Sequence, residues 1–403
     1  MIREMLTYRQ QKVAVGVADS RVTSVRSSDE LETVVRMYAN GRVGLASAVG
    51  PHDRDALERK AVAALQHGVP FAPGPVQDTS LAYDHPGETH DAASLVAETT
   101  ALLDALRADY SDFVFSNKVT WSSEELTLTN DAGLDVRWTR STTYVVLLVK
   151  QKGSPGILDT LIVVDTPSFD AEAALSQAAT YLPAFREPLA TAPSGRVRVA
   201  FEGLGPLSGR LGSDLTARSI ATGASVFSGC EHPFHPDFRL FDTRDARQVR
   251  TCPFDLYGTV RDEPALALLG PHGARGVADR RDAEALNVPD TGNAWGKVHE
   301  LPRTQIGELR VPGTGGLAPL VDDETVLVCL AMGADCSDTG DYALPVQLAY
   351  RLDAEGRPTE RLPQLTLTGN LFDLFGEGWV GGTATPARPG VQEQNVVTHM
   401  TVA

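Results

Sequence analysis

Cysteine is scarce in this chain: Cys230, Cys252, Cys329 and Cys336 are the four in 403 residues. That number excludes a disulfide-stapled scaffold. Long apolar runs are missing too. No stretch approaches the roughly 18 apolar residues of a membrane helix. The N-terminus, MIREMLTYRQQKVAVGVADS, lacks the basic-then-apolar layout of a signal peptide. A cytoplasmic protein with no membrane contact is the expectation. Basic residues are in deficit, 36 against 52 acidic ones, for a net charge of -16. Such a surface repels phosphate backbones, and apart from Arg280–Arg281 there is no Lys/Arg cluster to overcome it. Nucleic acid is therefore not an expected partner. G-x-S-x-G is absent, and Gly313–Gly316 (GTGG) lacks the Gly-Lys-Ser/Thr of a phosphate-binding loop, so it reads as a turn.

What is present points to a folded protein of two or three domains. Hydrophobic residues make up 42 %, enough for a sizeable core. The first half alternates strand and helix signals. Val13–Val17 and Val22–Arg26 are short β-branched runs. Ser27 and Glu30 stand at capping-box spacing ahead of Leu31, Val34, Val35 and Tyr38, which predicts a helix closed by Gly41. Arg42–Ala48 reads as a strand, and residues 53–66 and 91–108 as helices. Strands are expected over 113–121, 125–129, 136–150 and 157–164, with Asn130–Gly133 as the turn of a hairpin. A helix follows over 170–181. The Pro-rich segment Glu187–Gly195 marks the boundary between an α/β domain, residues 1–190, and a β-rich domain, residues 191–403. The fold class is α+β. In the second half the clearest strands are 197–201, 326–331, 347–352, 364–368 and 395–403, and Gly376–Gly382 (GEGWVGG) reads as a flexible loop.

One group of residues has metal-ligand character. Cys230, His232, His235 and Cys252 offer a C-x-H-x-x-H…C arrangement of zinc-compatible side chains. The spacing fits no standard zinc finger, and prolines follow both histidines. The alternative is a surface loop between two strands. Cys329 reads as a small core residue of an apolar strand, and His399 as a satisfied histidine of the last strand.

Several segments in fixed order resemble the TldD/PmbA family. They are GRVGLASA (Gly41–Ala48), LTLTNDAGLDVRWTRSTTY (Leu126–Tyr144), GASVFSG (Gly223–Gly229), FRLFDTRDAR (Phe238–Arg247) and FDLYGTV (Phe254–Val260). The sharpest are DTGNA (Asp290–Ala294) and TGDY (Thr339–Tyr342). The resemblance implies an α/β domain followed by a β-rich domain. It also implies a dimer around a central cavity in which one kind of subunit cleaves extended or unfolded peptides.

That kind carries a helical His-Glu-x-x-x-His zinc site and a third ligand, a cysteine near the C-terminus. Two imidazoles on one helical face grip the metal while the glutamate activates its water. This chain has no such pattern, and no cysteine follows Thr368. The corresponding stretch is Leu207–Ile220 (LSGRLGSDLTARSI), where Ser208, Ser213, Asp214 and Arg218 are poor substitutes. The resemblance therefore implies the metal-free, TldE/PmbA-like kind: no cofactor in this chain, zinc in a TldD-like partner, and no catalysis alone. Peptide contact is expected at Thr291, Gly292, Asn293, Gly340, Asp341 and Tyr342, with strand addition along Gly340–Leu352. Two other readings stay open: a stand-alone zinc hydrolase built on the Cys230–Cys252 cluster, and a non-enzymatic homodimeric peptide-binding regulator.

Overall fold

The computed structural model describes residues 1–156, 158–229, 234–245 and 251–403. Its first half is built on four long antiparallel strands, β1 (Ile2–Ala18), β2 (Arg21–Ala39), β6 (Phe113–Asn130) and β7 (Leu134–Gln151). Four shorter strands extend the sheet: β3 (Arg42–Val49), β4 (Val69–Pro70), β5 (Thr79–His85) and β8 (Thr160–Thr166). The order is β4-β3-β2-β1-β6-β7-β5, with β8 also on β7. Three helices, α1 (Arg54–Ala64), α2 (Ala92–Asp109) and α3 (Ala171–Arg186), begin at Asp53, Asp91 and Asp170, whose carboxylates accept a backbone N–H of the first turn.

Alternation along the strands sorts the two faces. Val13, Val15, Val17, Phe115, Val119 and Trp121 pack with Leu95, Leu102 and Leu106 of α2. Leu6, Val34, Leu126, Leu128 and Val136 face the other way and pack with Phe254 and Leu256 of the second half. On β2 every residue from Thr33 to Tyr38 is buried. Val35 and Met37 lie under α1, while Tyr38 packs with Phe71 and Tyr257.

This doubly covered strand replaces the helix expected over Leu31–Tyr38. A strand buried on both faces reads as a continuous apolar run, and its spacing imitates a helical stripe. Asn40 and Gly41, both at positive φ, form the tight turn of the β2–β3 hairpin rather than a helix cap. The expected breaks at 121–125 are also absent, since β6 is continuous. Helices 53–66 and 91–108 and the hairpin at Asn130–Gly133 stand where they were read.

The second half contains a closed sheet. Strand Gly195–Glu202 runs parallel to Val326–Ala331 and antiparallel to Gln394–Val402. Leu365–Asn370 joins Gln394–Val402 to Asp341–Leu352, which pairs back onto Val326–Ala331. Closure removes free edges. A small second sheet sets Glu308–Arg310 beside Leu240–Thr243, which pairs in turn with Ala265–Gly270. The expected loop at Gly376–Gly382 is partly strand, Trp379–Pro386. Gly378 in it serves close approach: a Cβ there would stand 2.7 Å from the Asp373 carbonyl oxygen. Among the described residues no helix is long and apolar enough to cross a membrane.

One buried ion pair joins the halves. Arg36 and Glu4, on neighbouring strands and wholly buried, pair at 3.0 Å. Tyr38 donates to the same Glu4 oxygen at 3.0 Å, and Arg36 donates to the Leu256 carbonyl at 2.6 Å. Removing one partner strands the other charge away from water, which costs about 3–5 kcal/mol. Glu4→Ala should therefore lose about that much in urea unfolding. Glu58→Ala, which breaks a partly exposed pair with Arg3, should lose under about 1 kcal/mol. Equal losses in the two variants would contradict this account.

Candidate functional site

A cavity of about 1340 Å³ lies between the N-terminal sheet and the second half. Its floor is the face of that sheet carrying Tyr8, Leu126, Trp138 and Arg140. The opposite wall is the run Gln305–Val311, which contains the strand Glu308–Arg310. Trp295–His299 and Gln392–Gln394 complete the sides. The volume exceeds that of an ordinary small-molecule pocket, about 300–1,000 Å³.

Among the described residues the strand Glu308–Arg310 is the end strand of its small sheet, and it lines the cavity. It is held from behind by a buried polar network centred on Asp242. The Asp242 carboxylate accepts from the backbone N–H of Gly307 (2.9 Å) and Glu308 (3.1 Å), from Arg261 (2.6 Å) and from Asn293 (2.8 Å). Asn293 also donates to the Gln305 carbonyl at 2.9 Å and accepts from Arg261 and Thr291. The approach at Gly307 is tight, since a Cβ would sit 3.1 Å from the Asp242 carboxylate.

A second node lies beside it. Asp255 accepts from the backbone N–H of Tyr257, Thr259 and Ala294 at 2.9, 3.0 and 2.9 Å. Burial pushes its carboxyl up to about 6, opposed by the Arg244 guanidinium nearby. Arg244 is itself buried, with its guanidinium 4.8 Å from the centre of the Trp295 ring.

Most charges lining the cavity are paired. Arg140 donates to Glu124 at 2.6 Å, and Tyr8 donates to the other Glu124 oxygen at 3.0 Å. Arg310 holds Glu308 through two nitrogens, at 2.9 and 2.7 Å, and His299 lies 3.2 Å from Glu32. These pairs leave the wall polar without a dominant sign.

The helix that the resemblance singles out borders this cavity. Leu207–Ile220 folds as two short helices, Ser208–Asp214 and Ala217–Ala221, broken where Thr216 caps the second. Leu207, Leu211 and Leu215 are buried in the core, so Ser208 and Gly212 face the cavity. The remaining polar groups are turned to structural use. Ser208 and Ser213 donate to the carbonyls of Gly205 and Arg210, Asp214 pairs with Arg210 at 2.6 Å, and Arg218 pairs with Asp282 at 2.5 Å.

The six residues expected to touch peptide do not line the cavity. Thr291 and Asn293 are buried members of the Asp242 network, and Gly292 is the positive-φ turn between them. Gly340, Asp341 and Tyr342 form another bracket. Asp341 accepts from Thr339 at 2.8 Å and from Asn370 at 2.9 Å, and the Tyr342 ring packs on Gly369. Asp341–Leu352 is an interior strand of the closed sheet, already paired on both sides. Motif sharpness marked tight structural turns, and the lining segment Gln305–Val311 carried no signal beyond its short alternation.

Of the Cys230, His232, His235 and Cys252 group, the first two lie outside the described residues. His235 is partly exposed and accepts from the Asp237 backbone N–H at 3.2 Å; its own N–H donates to the Phe375 carbonyl. Cys252 sits in the cluster of Leu126, Trp138 and Leu256, and burial pushes its thiol up to about 12, far from a ready thiolate ligand. Cys329 packs in its strand against the core, as read from the sequence, and His399 lies 3.2 Å from the Gly378 carbonyl.

The whole chain is similar in fold to three solved structures. TldE from Thermococcus kodakarensis superposes with a TM-score of 0.81 at 16 % identity, over 100 % of this chain and 96 % of that one. A candidate modulator of DNA gyrase from Thermotoga maritima gives 0.75 at 14 % identity, over 100 % and 96 %. Another from Bacteroides thetaiotaomicron gives 0.75 at 14 %, over 100 % and 94 %. No curated protein matches in sequence. At such identities the superpositions establish the fold. Sequence adds the family: residues 199–382, which include the helix at 208–214, the Asp242 network and the Glu308–Arg310 strand, match the PmbA/TldA metallopeptidase C-terminal domain. The family match thus covers the C-terminal part of the chain, residues 199–382, and the fold match covers all of it.

Proposed function

We propose that this chain is the TldE/PmbA-like subunit of a TldD/TldE-type metalloprotease complex, supplying part of the chamber in which an extended or unfolded peptide is processed. One observation carries the reading. A cavity between the halves is lined by Glu308–Arg310, the end strand of its sheet among the described residues, and the helix bordering it presents Ser208 and Gly212. The likeness of the whole fold to TldE supports the same assignment. Catalytic zinc would then belong to a TldD-like partner, and this chain would contribute binding.

An open strand edge recognises an extended chain through main-chain hydrogen bonds, with little demand on side-chain sequence. The candidate peptide wall is thus Gln305–Val311. Thr291, Gly292 and Asn293 would position that wall rather than touch peptide, because Asn293 and Asp242 hold Gln305, Gly307 and Glu308 in place. Gly340, Asp341 and Tyr342 would have no direct part. The complex would work in the cytoplasm, as a heterodimer.

Two measurements test this. Mixing the chain with a metal-bearing relative encoded in the same genome should yield peptidase activity on an unfolded substrate that neither chain shows alone. Unchanged activity of the relative on addition of this chain would end the proposal. Peptides N-methylated at alternate residues should bind the chain in two classes, one weakened about fivefold for each main-chain hydrogen bond lost, and one nearly unaffected. Equal affinity for every methylation register would rule out strand addition.

A further inference from the structure

The N-terminal sheet carries a second cluster of chemistry, on the face opposite the cavity. The segment between β5 and α2 is laid tightly on the sheet. A Cβ at Gly87 would stand 2.2 Å from the Pro167 carbonyl oxygen and 2.8 Å from that of Ser141. The Glu88 N–H donates to the Pro167 carbonyl at 3.0 Å, and the Trp121 indole donates to the Glu88 carbonyl at 2.8 Å. His90 follows, just before the Asp91 cap of α2, and its side chain is 1 % exposed. Its Nδ1 lies 3.1 Å from a carboxylate oxygen of Glu98, on α2, and its Nε2 lies 3.6 Å from one of Glu88. One donor atom from each of the three side chains falls within 4.8 Å of the others. His90 Nε2 and Glu98 Oε2 are both buried without a hydrogen-bond partner.

We propose that Glu88, His90 and Glu98 form a binding site for one divalent transition-metal cation of the Zn²⁺ type, tying the start of α2 to the segment that crosses the sheet. Bonds of about 2.0–2.2 Å at tetrahedral angles put zinc ligands about 3.3 Å apart. With Nε2 as the imidazole ligand, His90 and Glu88 already stand at 3.6 Å, near that spacing, and the partly exposed Glu98 carboxylate can swing to close the set. Two carboxylates match the charge of a divalent ion. An imidazole ligand favours transition metals over Mg²⁺ and Ca²⁺, which prefer oxygen alone. Three protein ligands leave a fourth position for water.

The competing arrangement is an imidazolium clamped between two carboxylates. It would aim both ring N–H groups along hydrogen bonds. Here the Nε2 distance is too long for one, and Glu98 Oε2, though 3.1 Å from Nδ1, is not aligned with it as a hydrogen bond, so Nε2 and Oε2 both remain unbonded. A cation gives those buried atoms a partner that the clamp does not. Among the described residues this is the one group of three His, Cys, Asp or Glu side chains with donor atoms so close. The proposal does not rest on the peptidase reading.

The test uses the full chain, purified without a metal-binding tag and stripped with a chelator. Titration with Zn²⁺ in a calorimeter should show about one site per chain, and saturating Zn²⁺ should raise Tm by a few degrees. Co²⁺ in its place should give the visible absorption of a four- or five-coordinate site. Glu88→Ala, at a half-exposed position, and His90→Gln should each weaken Zn²⁺ binding about tenfold or more while keeping the far-ultraviolet circular dichroism of the parent. The double variant His232→Ala, His235→Ala should bind as the parent does. Three results would overturn the proposal: no Zn²⁺ or Co²⁺ uptake, binding unchanged in Glu88→Ala, or loss of the metal in the His232/His235 variant instead.

Discussion

Burial of both faces of the N-terminal sheet is the constraint on which the rest of the molecule depends. Its long strands are covered by α1, α2 and α3 on one side and by the second half of the chain on the other. Neither cover suffices alone, since an exposed apolar face would have to find another partner. The cavity exists because the second cover is incomplete. Where Leu6, Val34 and Leu128 meet Phe254 and Leu256 the halves touch, and beside them, over Tyr8, Trp138 and Arg140, they part. The buried Glu4–Arg36 pair sits on the closed part of this contact, and its bond to the Leu256 carbonyl ties the orientation of the halves to one side-chain geometry.

The cavity wall follows the same logic at smaller scale. A three-residue strand such as Glu308–Arg310 cannot hold its own shape. Asp242 fixes it through two backbone N–H groups, and Arg261 and Asn293 complete the carboxylate's bonds. A buried carboxylate is tolerable only when so fully satisfied. The apparatus behind the wall is therefore more polar and more tightly bonded than the wall itself. That division of labour explains why the sharp sequence motifs and the lining residues are different residues.

Helices with a capping aspartate and one apolar stripe, α1 and α2, were legible in the sequence because capping and 3.6-residue periodicity are local properties. So was the hairpin at Asn130–Gly133. The strand β2 was not. Thr33–Tyr38 is buried on both faces, and its run of apolar residues fits a helix and a doubly covered strand equally. Asn40-Gly41 held the discriminating signal, a two-residue hairpin turn, but Gly after an apparent helix also reads as a cap. The glycines of Gly376–Gly382 suggested flexibility, whereas Gly378 lets the Asp373 carbonyl approach.

The sequence by itself determined the family resemblance and the lack of a His-Glu-x-x-x-His pattern, because motif order and missing residue types need no coordinates. Tertiary structure decided which residues meet. It put Ser208 and Gly212 on a cavity, moved Thr291, Gly292 and Asn293 behind its wall, and set Gly340, Asp341 and Tyr342 in a separate bracket. It also brought Glu88, His90 and Glu98 together across a loop and a helix. Apart from this last group, which is local in the chain, such meetings depend on packing between segments far apart in sequence. No local pattern encodes them, since the free energy that selects one juxtaposition comes from the surfaces buried on both sides of it.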